Sequence, residues 1–147
     1  MKKLLITGIV LVAVYLGGLQ SQLIDSPQVG AVSSAGQVDD ELAQAFEDRR
    51  SDVQVRGRGE VIKVLADDND GSRHQRFILR LPSGQTLLVA HNIDLADRVA
   101  ALKVGDTVEF NGEYEWNAKG GVIHWTHRDP RGVHEAGWIR HKGRTYQ

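Results

Sequence analysis

The feature that most constrains this chain is a change of hydrophobic period near Ser51. Upstream of it apolar residues recur at helical spacing; downstream they alternate with polar ones in five short segments separated by turn residues. Five strands in so short a stretch cannot stay open without long unpaired edges, so the pattern predicts closure. Residues 53–66 read as a long first strand, with Gly57 and Gly59 where a strand must bend or bulge. Residues 74–81 and 86–91 read as a hairpin around Pro82-Ser83-Gly84-Gln85. Residues 94–102 read as a helix, with Leu95, Val99 and Leu102 on one face, Asp94 as N-cap and Gly105 just beyond its end. In residues 107–116, Val108, Phe110, Gly112, Tyr114 and Trp116 face one way, and Glu109, Asn111, Glu113 and Glu115 the other. A turn at residues 117–121 leads into the fifth strand. Three strands, a helix, then two strands is the order of a mostly β, five-stranded OB-fold-like Greek-key barrel, preceded here by an N-terminal helix. A flat sheet with two helices on one side is the competing architecture.

Ahead of that domain, Lys2 and Lys3 precede an apolar run from Leu4 to Leu19, the order of a signal peptide or an N-terminal membrane anchor, assigned to residues 1–24. The run is short against the roughly 20 residues of a spanning helix, and the small-x-small triplet Ser33-Ser34-Ala35 lies well downstream. A cleaved leader and a retained anchor both stay open; either predicts a periplasmic or secreted domain. Residues 25–37, rich in Ser, Gly, Ala and Gln around Pro27, read as a linker. A single domain then spans residues 38–147. It opens on a helix with Val38, Leu42, Ala45 and Phe46 on one face and Asp39, Asp40 and Glu41 in its first turn.

Charge and cysteine usage narrow the function classes. A formal net charge of -1 argues against coating a polyanion by bulk electrostatics. The absence of cysteine excludes disulfides, thiol nucleophiles and thiolate metal sites. Asp67, Asp68, Asn69 and Asp70 offer calcium-type oxygens, but no glutamate closes an EF-hand loop, so an ordinary acidic turn is the preferred reading.

Function is expected at Gly121-Val122-Ile123-His124-Trp125-Thr126-His127-Arg128-Asp129-Pro130, where polar and aromatic groups replace the valine and threonine of an ordinary strand. On a strand, His124 and His127 point to opposite faces, so their spacing is no zincin motif. Alternation sends Ile123, Trp125, His127 and Asp129 toward the core and rim, and His124, Thr126 and Arg128 outward. His127 with Asp129 reads as an oriented base or a ligand with its orienter, or equally as a buried histidine satisfied by that carboxylate. If Ser83 and Gly84 centre the hairpin turn, Arg76 faces His91 and His74 lies diagonal to it on the same face. The segment after Pro130 is expected to pack back through Trp138 and Ile139, carrying His134 toward the other histidines, with His141 and Lys142 at the surface.

Gly105-Asp106-x-Val108-x-Phe110-x-Gly112 resembles the fourth-strand signature of many OB-fold domains. His91-Asn92-Ile93, His124-Trp125-Thr126-His127 and Gly137-Trp138-Ile139 resemble a family of short exported bacterial proteins known as a domain of unknown function. The similarity covers residues 59–146. It implies an OB-like core and export, and lends no activity and no catalytic residues.

Two function classes follow from the residues. The first is a binding module for an oligomeric or anionic ligand, nucleic acid or a cell-envelope glycan such as peptidoglycan, using Arg76, Asn92, His124, Trp125, Arg128 and Trp138. The alternative is a small metal- or histidine-dependent hydrolase resembling a nuclease-like phosphodiesterase. It would draw its base, acid or metal ligands from His74, His91, His127, Asp129 and His134, with Arg73, Arg76 or Arg128 on a phosphate. The sequence names no metal or cofactor. The inner membrane is a partner if residues 1–24 are retained, and nothing points to an obligate protein partner.

Overall fold

In the computed structural model, which describes residues 34–147, the alternating segments become β1 (Val53–Val64), β2 (His74–Arg80), β3 (Thr86–Asn92), β4 (Thr107–Glu115) and β5 (Val122–His124). The expected signal or anchor segment and residues 25–33 of the expected linker lie outside the described residues. The strands pair in the ring β1-β2-β3-β5-β4, which a β1–β4 pairing closes. Only β3 and β5 run parallel. This is the closed, mostly β, OB-fold-like barrel that the order of segments predicts.

Two further strands, β6 (Trp138–His141) and β7 (Arg144–Tyr146), form a hairpin added to β4. The edge of β4 that faces away from β1 is thus shared, with β6 along Val108 to Asn111 and β5 along Glu113 to Glu115. The tail does pack back, and Ile139 is fully buried. His141 is not a surface residue: its Nε2–H donates to Asp106 Oδ2 at 2.9 Å, and a buried imidazole with a carboxylate partner keeps its place in the interior.

Period-2 alternation explains the core. Val61, Phe77, Leu79, Leu87, Val89, Val108, Phe110, Tyr114 and Ile123 are fully enclosed inside the ring. Gly57 and Gly59 admit neighbours to β1. A Cβ on Gly57 would stand 2.5 Å from the Phe110 ring, and one on Gly59 2.8 Å from the Arg80 carbonyl. The irregularity in β1 falls later, between Val61 and Lys63.

Three expectations are corrected. Helix α1 (Ser34–Glu47) begins inside the expected linker, so Asp39, Asp40 and Glu41 are mid-helix and no acidic residue lies in the first turn. Ala35 and Gln37 are good helix formers, and one glycine at position 36, costing about 1 kcal/mol, does not stop a helix. Leu42 and Ala45 bury against the barrel, and Trp116 Nε1–H donates to the Phe46 carbonyl at 3.0 Å.

No helix connects β3 to β4. The Gln75 amide bonds both the N–H (2.8 Å) and the C=O (3.2 Å) of Val99, His91 Nε2 reaches the Asp97 carbonyl at 3.0 Å, and Ala101 has φ +52°. Side chains from β2 and β3 thus take up backbone groups that helical bonds would use, and tertiary bonds override local propensity. The connection still closes that end of the barrel through buried Val99.

The hairpin register is one residue off the expected one: Arg80 pairs with Thr86 and Gln75 with His91. Leu81, buried like Leu79, stands opposite Gln85 instead of Thr86, and its N–H donates to the Gln85 carbonyl at 2.8 Å to hold the turn.

Candidate functional site

Register decides which side chains share the outside of the barrel. Ile78 pairs with Leu88, Leu88 lies beside Val122, and Val122 pairs with Glu115, so these four form one outward row with Lys63 at its far end. In the next row Arg76 pairs with Ala90, the parallel register carries Ala90 to His124, and His124 pairs with Glu113, which faces Gln54 of β1. All of these but Lys63, which is exposed, are partly buried. Their chain neighbours Phe77, Leu87, Val89, Tyr114 and Ile123 fill the interior. A row of apolar side chains flanked by charge is therefore fixed on β2, β3 and β5.

At the β4–β5 end of that surface, Glu113 is held from one side. His134 Nε2–H donates to Glu113 Oε2 at 2.6 Å, and His134 Nδ1–H donates to the Glu135 carbonyl at 2.8 Å. Both partners are acceptors, an arrangement that favours the protonated ring, and the bond to Glu113 raises its proton affinity above the ordinary value. The Trp125 indole stacks on this ring with centroids 4.2 Å apart and planes 11° from parallel, an arrangement worth about 0.5–1.5 kcal/mol beyond area burial in aromatic pairs. Trp125 itself has φ +53°, a conformation costing about 1–3 kcal/mol for a bulky residue. A Cβ on Gly137 would strike the Trp125 carbonyl oxygen. Only glycine lets the returning chain pass there.

On the other side of Glu113, His124 Nε2 stands 3.4 Å from Glu113 Oε1 and 3.5 Å from Glu115 Oε1. One donor atom from each of Glu113, Glu115 and His124 lies within 4.8 Å of the others. This trio was not joined in the sequence reading, although its parts were visible there. Glu113 and Glu115 fell on the wet face of the fourth strand and His124 pointed outward; counting the register back across the turn at residues 117–121 brings them together.

The expected site residues divide. Arg76 and His124 share the outer face, where Asn92 pairs with His74 two residues further along β3. Trp138, beside Asn111 on β4, stands on this side too, with the Arg140 guanidinium 4.4 Å from its ring centroid. Arg128 is exposed. The fifth strand ends at His124, not Pro130, because the left-handed turn at Trp125 breaks it. Trp125 is therefore only partly buried, and Thr126 is fully buried, the reverse of the expected alternation.

His127 and Asp129, for which the sequence leaves an oriented base or ligand and a buried, carboxylate-satisfied histidine both open, do not bond each other. His127 Nδ1–H donates to the Arg128 carbonyl at 2.8 Å, while the Asp129 carboxylate accepts from the N–H groups of Arg131, Val133 and His134 at 2.9–3.0 Å. Those backbone donors, Arg131 foremost, hold Asp129 below the usual carboxylate range and make it a turn brace. His91 is fully buried. Its Nε2–H donates to the Asp97 carbonyl and its Nδ1 accepts from Thr126 Oγ1 at 2.8 Å, so burial keeps it neutral and lowers its proton affinity. His74 points away from His91 into the outer face and bonds the Ser72 carbonyl at 2.8 Å. The acidic turn is likewise engaged: Arg98 pairs with Asp67, and Asp68 accepts from Asp70 N–H at 3.0 Å. It presents no calcium cage.

A ring of five strands in this order, with a histidine, carboxylate and tryptophan cluster outside β4 and β5, defines a small OB-fold-like barrel with an elaborated outer face. Residues 28–147 match the model of the family described as Protein of unknown function (DUF3465), and the chain belongs to that family. Among solved structures it is similar to the hypothetical protein ygiW from E. coli, with 24% identity over 55% of this chain and 77% of that one and a TM-score of 0.38. No curated protein matches the sequence.

Proposed function

We propose that this protein is an exported binding module that takes an extended ligand across the outer face of β2, β3 and β5. The supporting observation is the row of Ile78, Leu88 and Val122, apolar yet left partly open, with Arg76 beside it and Ala90 leaving room between Arg76 and His124. This is the barrel surface on which OB-folds commonly hold oligonucleotides and oligosaccharides, although fold alone does not assign a ligand. Glu113 and Glu115 border the row and the net charge is -1, which disfavours a polyanion and favours a neutral, hydroxyl-rich strand such as an envelope glycan. Export through residues 1–24, cleaved or retained in the inner membrane, belongs to the same proposal, and cell fractionation tests it.

The hydrolase alternative has less support, because His91 and His134 have both ring nitrogens engaged and Asp129 is spent on backbone bonds. The test is capture of the full chain by insoluble peptidoglycan and by a single-stranded oligonucleotide. In the Arg76→Ala, Leu88→Ala double variant the proposal expects glycan capture to weaken at least about tenfold, the equivalent of roughly 1.4 kcal/mol of lost contact. Undiminished capture in a folded double variant contradicts it.

A further inference from the structure

The buried side-chain polar atoms that find no partner among the described residues are not scattered. They are His124 Nε2, Asn111 Oδ1, and both amide atoms of Gln54. Gln54 and His124 stand directly opposite Glu113 on its two neighbouring strands, and Asn111 lies two residues before it on β4. All four atoms are shielded from solvent on the one face centred on Glu113, where buried polar groups ordinarily have partners.

The geometry of His124 gives this clustering a direction. A histidine ring that bonds a carboxylate closes to hydrogen-bond distance, as His134 does on the same Glu113 at 2.6 Å. His124 Nε2 instead stands back from two carboxylate oxygens equally, at 3.4 and 3.5 Å, and bonds neither. Donors about 2.0–2.2 Å from a tetrahedral zinc ion stand about 3.3–3.6 Å from one another, the edge length of that tetrahedron. We infer that Glu113, Glu115 and His124 form a binding site for a divalent first-row transition ion of the zinc type.

The donor set is one imidazole nitrogen and two carboxylate oxygens, which suits zinc and its neighbours better than magnesium or calcium, whose sites are built from oxygen. His134 has the place of an outer positioning residue: its N–H on Glu113 Oε2 orients the carboxylate and leaves Oε1 turned toward His124. Three protein donors leave a fourth tetrahedral position for another ligand, and Glu115 is the most open of the three, its side chain 42% exposed. Glu115 pairs with Val122 at the end of the apolar row, so an ion held there would stand beside a ligand lying along that row. This deepens the binding reading and rests on the same face.

The test is calorimetric titration of the untagged full chain with zinc chloride, with magnesium and calcium as competitors. The wild type is expected to bind one ion saturably, undisturbed by either competitor. Glu115→Gln, a change at a half-exposed position that leaves folding intact, is expected to weaken binding about tenfold or more, and His124→Ala to abolish it. Absence of saturable zinc binding, or binding of equal strength in wild type and Glu115→Gln, overturns the inference. Zinc binding lost in these variants supports the ion site even where the Arg76→Ala, Leu88→Ala change leaves ligand capture unaltered, a result that fails the binding reading alone.

Discussion

At the scale of single residues, histidines that look alike in the sequence do different work. His91 is locked between Thr126 Oγ1 and the Asp97 carbonyl inside the barrel end, whereas His134 is a brace on Glu113 with raised proton affinity. His91→Ala opens a cavity and orphans the buried Thr126 hydroxyl, and is expected to lower unfolding free energy by about 2–4 kcal/mol; denaturant titration measures it. The same residue sets a pH dependence. Its unfolded form titrates near about 6.5, while burial lowers the folded value, so below that pH the unfolded chain binds the extra proton. His91 therefore contributes nothing adverse above the unfolded value and progressively destabilises the fold as pH falls below it. Relative to wild type, His91→Ala is expected to show a shallower loss of stability between neutral pH and pH 5. An unchanged slope contradicts the assignment.

At the scale of elements, legibility followed locality. The two faces of β4 were readable because alternation needs only the strand itself. The helix expected at residues 94–102 was not, because its competitors, the Gln75 amide and the His91 ring, come from strands that precede it and reach Val99 and Asp97 only in three dimensions. The hairpin register differs by one because the turn closes from Leu81 to Gln85 over three residues, with Gly84 N–H donating to the Leu81 carbonyl at 2.9 Å, and not over the pair Ser83-Gly84. For the candidate site, His124 and its two glutamates were readable strand by strand, whereas the brace from His134 depends on a loop that returns over β4. That loop is anchored at Gly137, whose N–H donates to the His127 carbonyl at 2.9 Å where a side chain has no room. Because the obstructing atom is backbone, Gly137→Ala is expected to displace the loop and reduce the tryptophan stacking around Trp125. Near-ultraviolet circular dichroism would register it, and an unaltered aromatic spectrum would contradict the close approach.

At the scale of the whole molecule, closure of five strands makes the inward positions apolar except where a polar side chain finds a bond, as Gln75 and His91 do with the β3–β4 connection, and leaves the outer face free to vary. This chain uses that freedom on one side, setting Ile78, Leu88 and Val122 beside Arg76, His124, Glu113 and Glu115, while α1 and the β3–β4 connection close the two ends with Leu42, Ala45 and Val99. The central claim is that this outer face is where a ligand lands. The most direct measurement is an amide chemical-shift titration of the isotope-labelled full chain with soluble peptidoglycan fragments. The account predicts shifts centred on Arg76, Ile78, Leu88, Ala90 and Val122, fading toward β7. Shifts confined to the basic β6–β7 hairpin around Arg140 and Arg144, or none at saturating fragment, would contradict it.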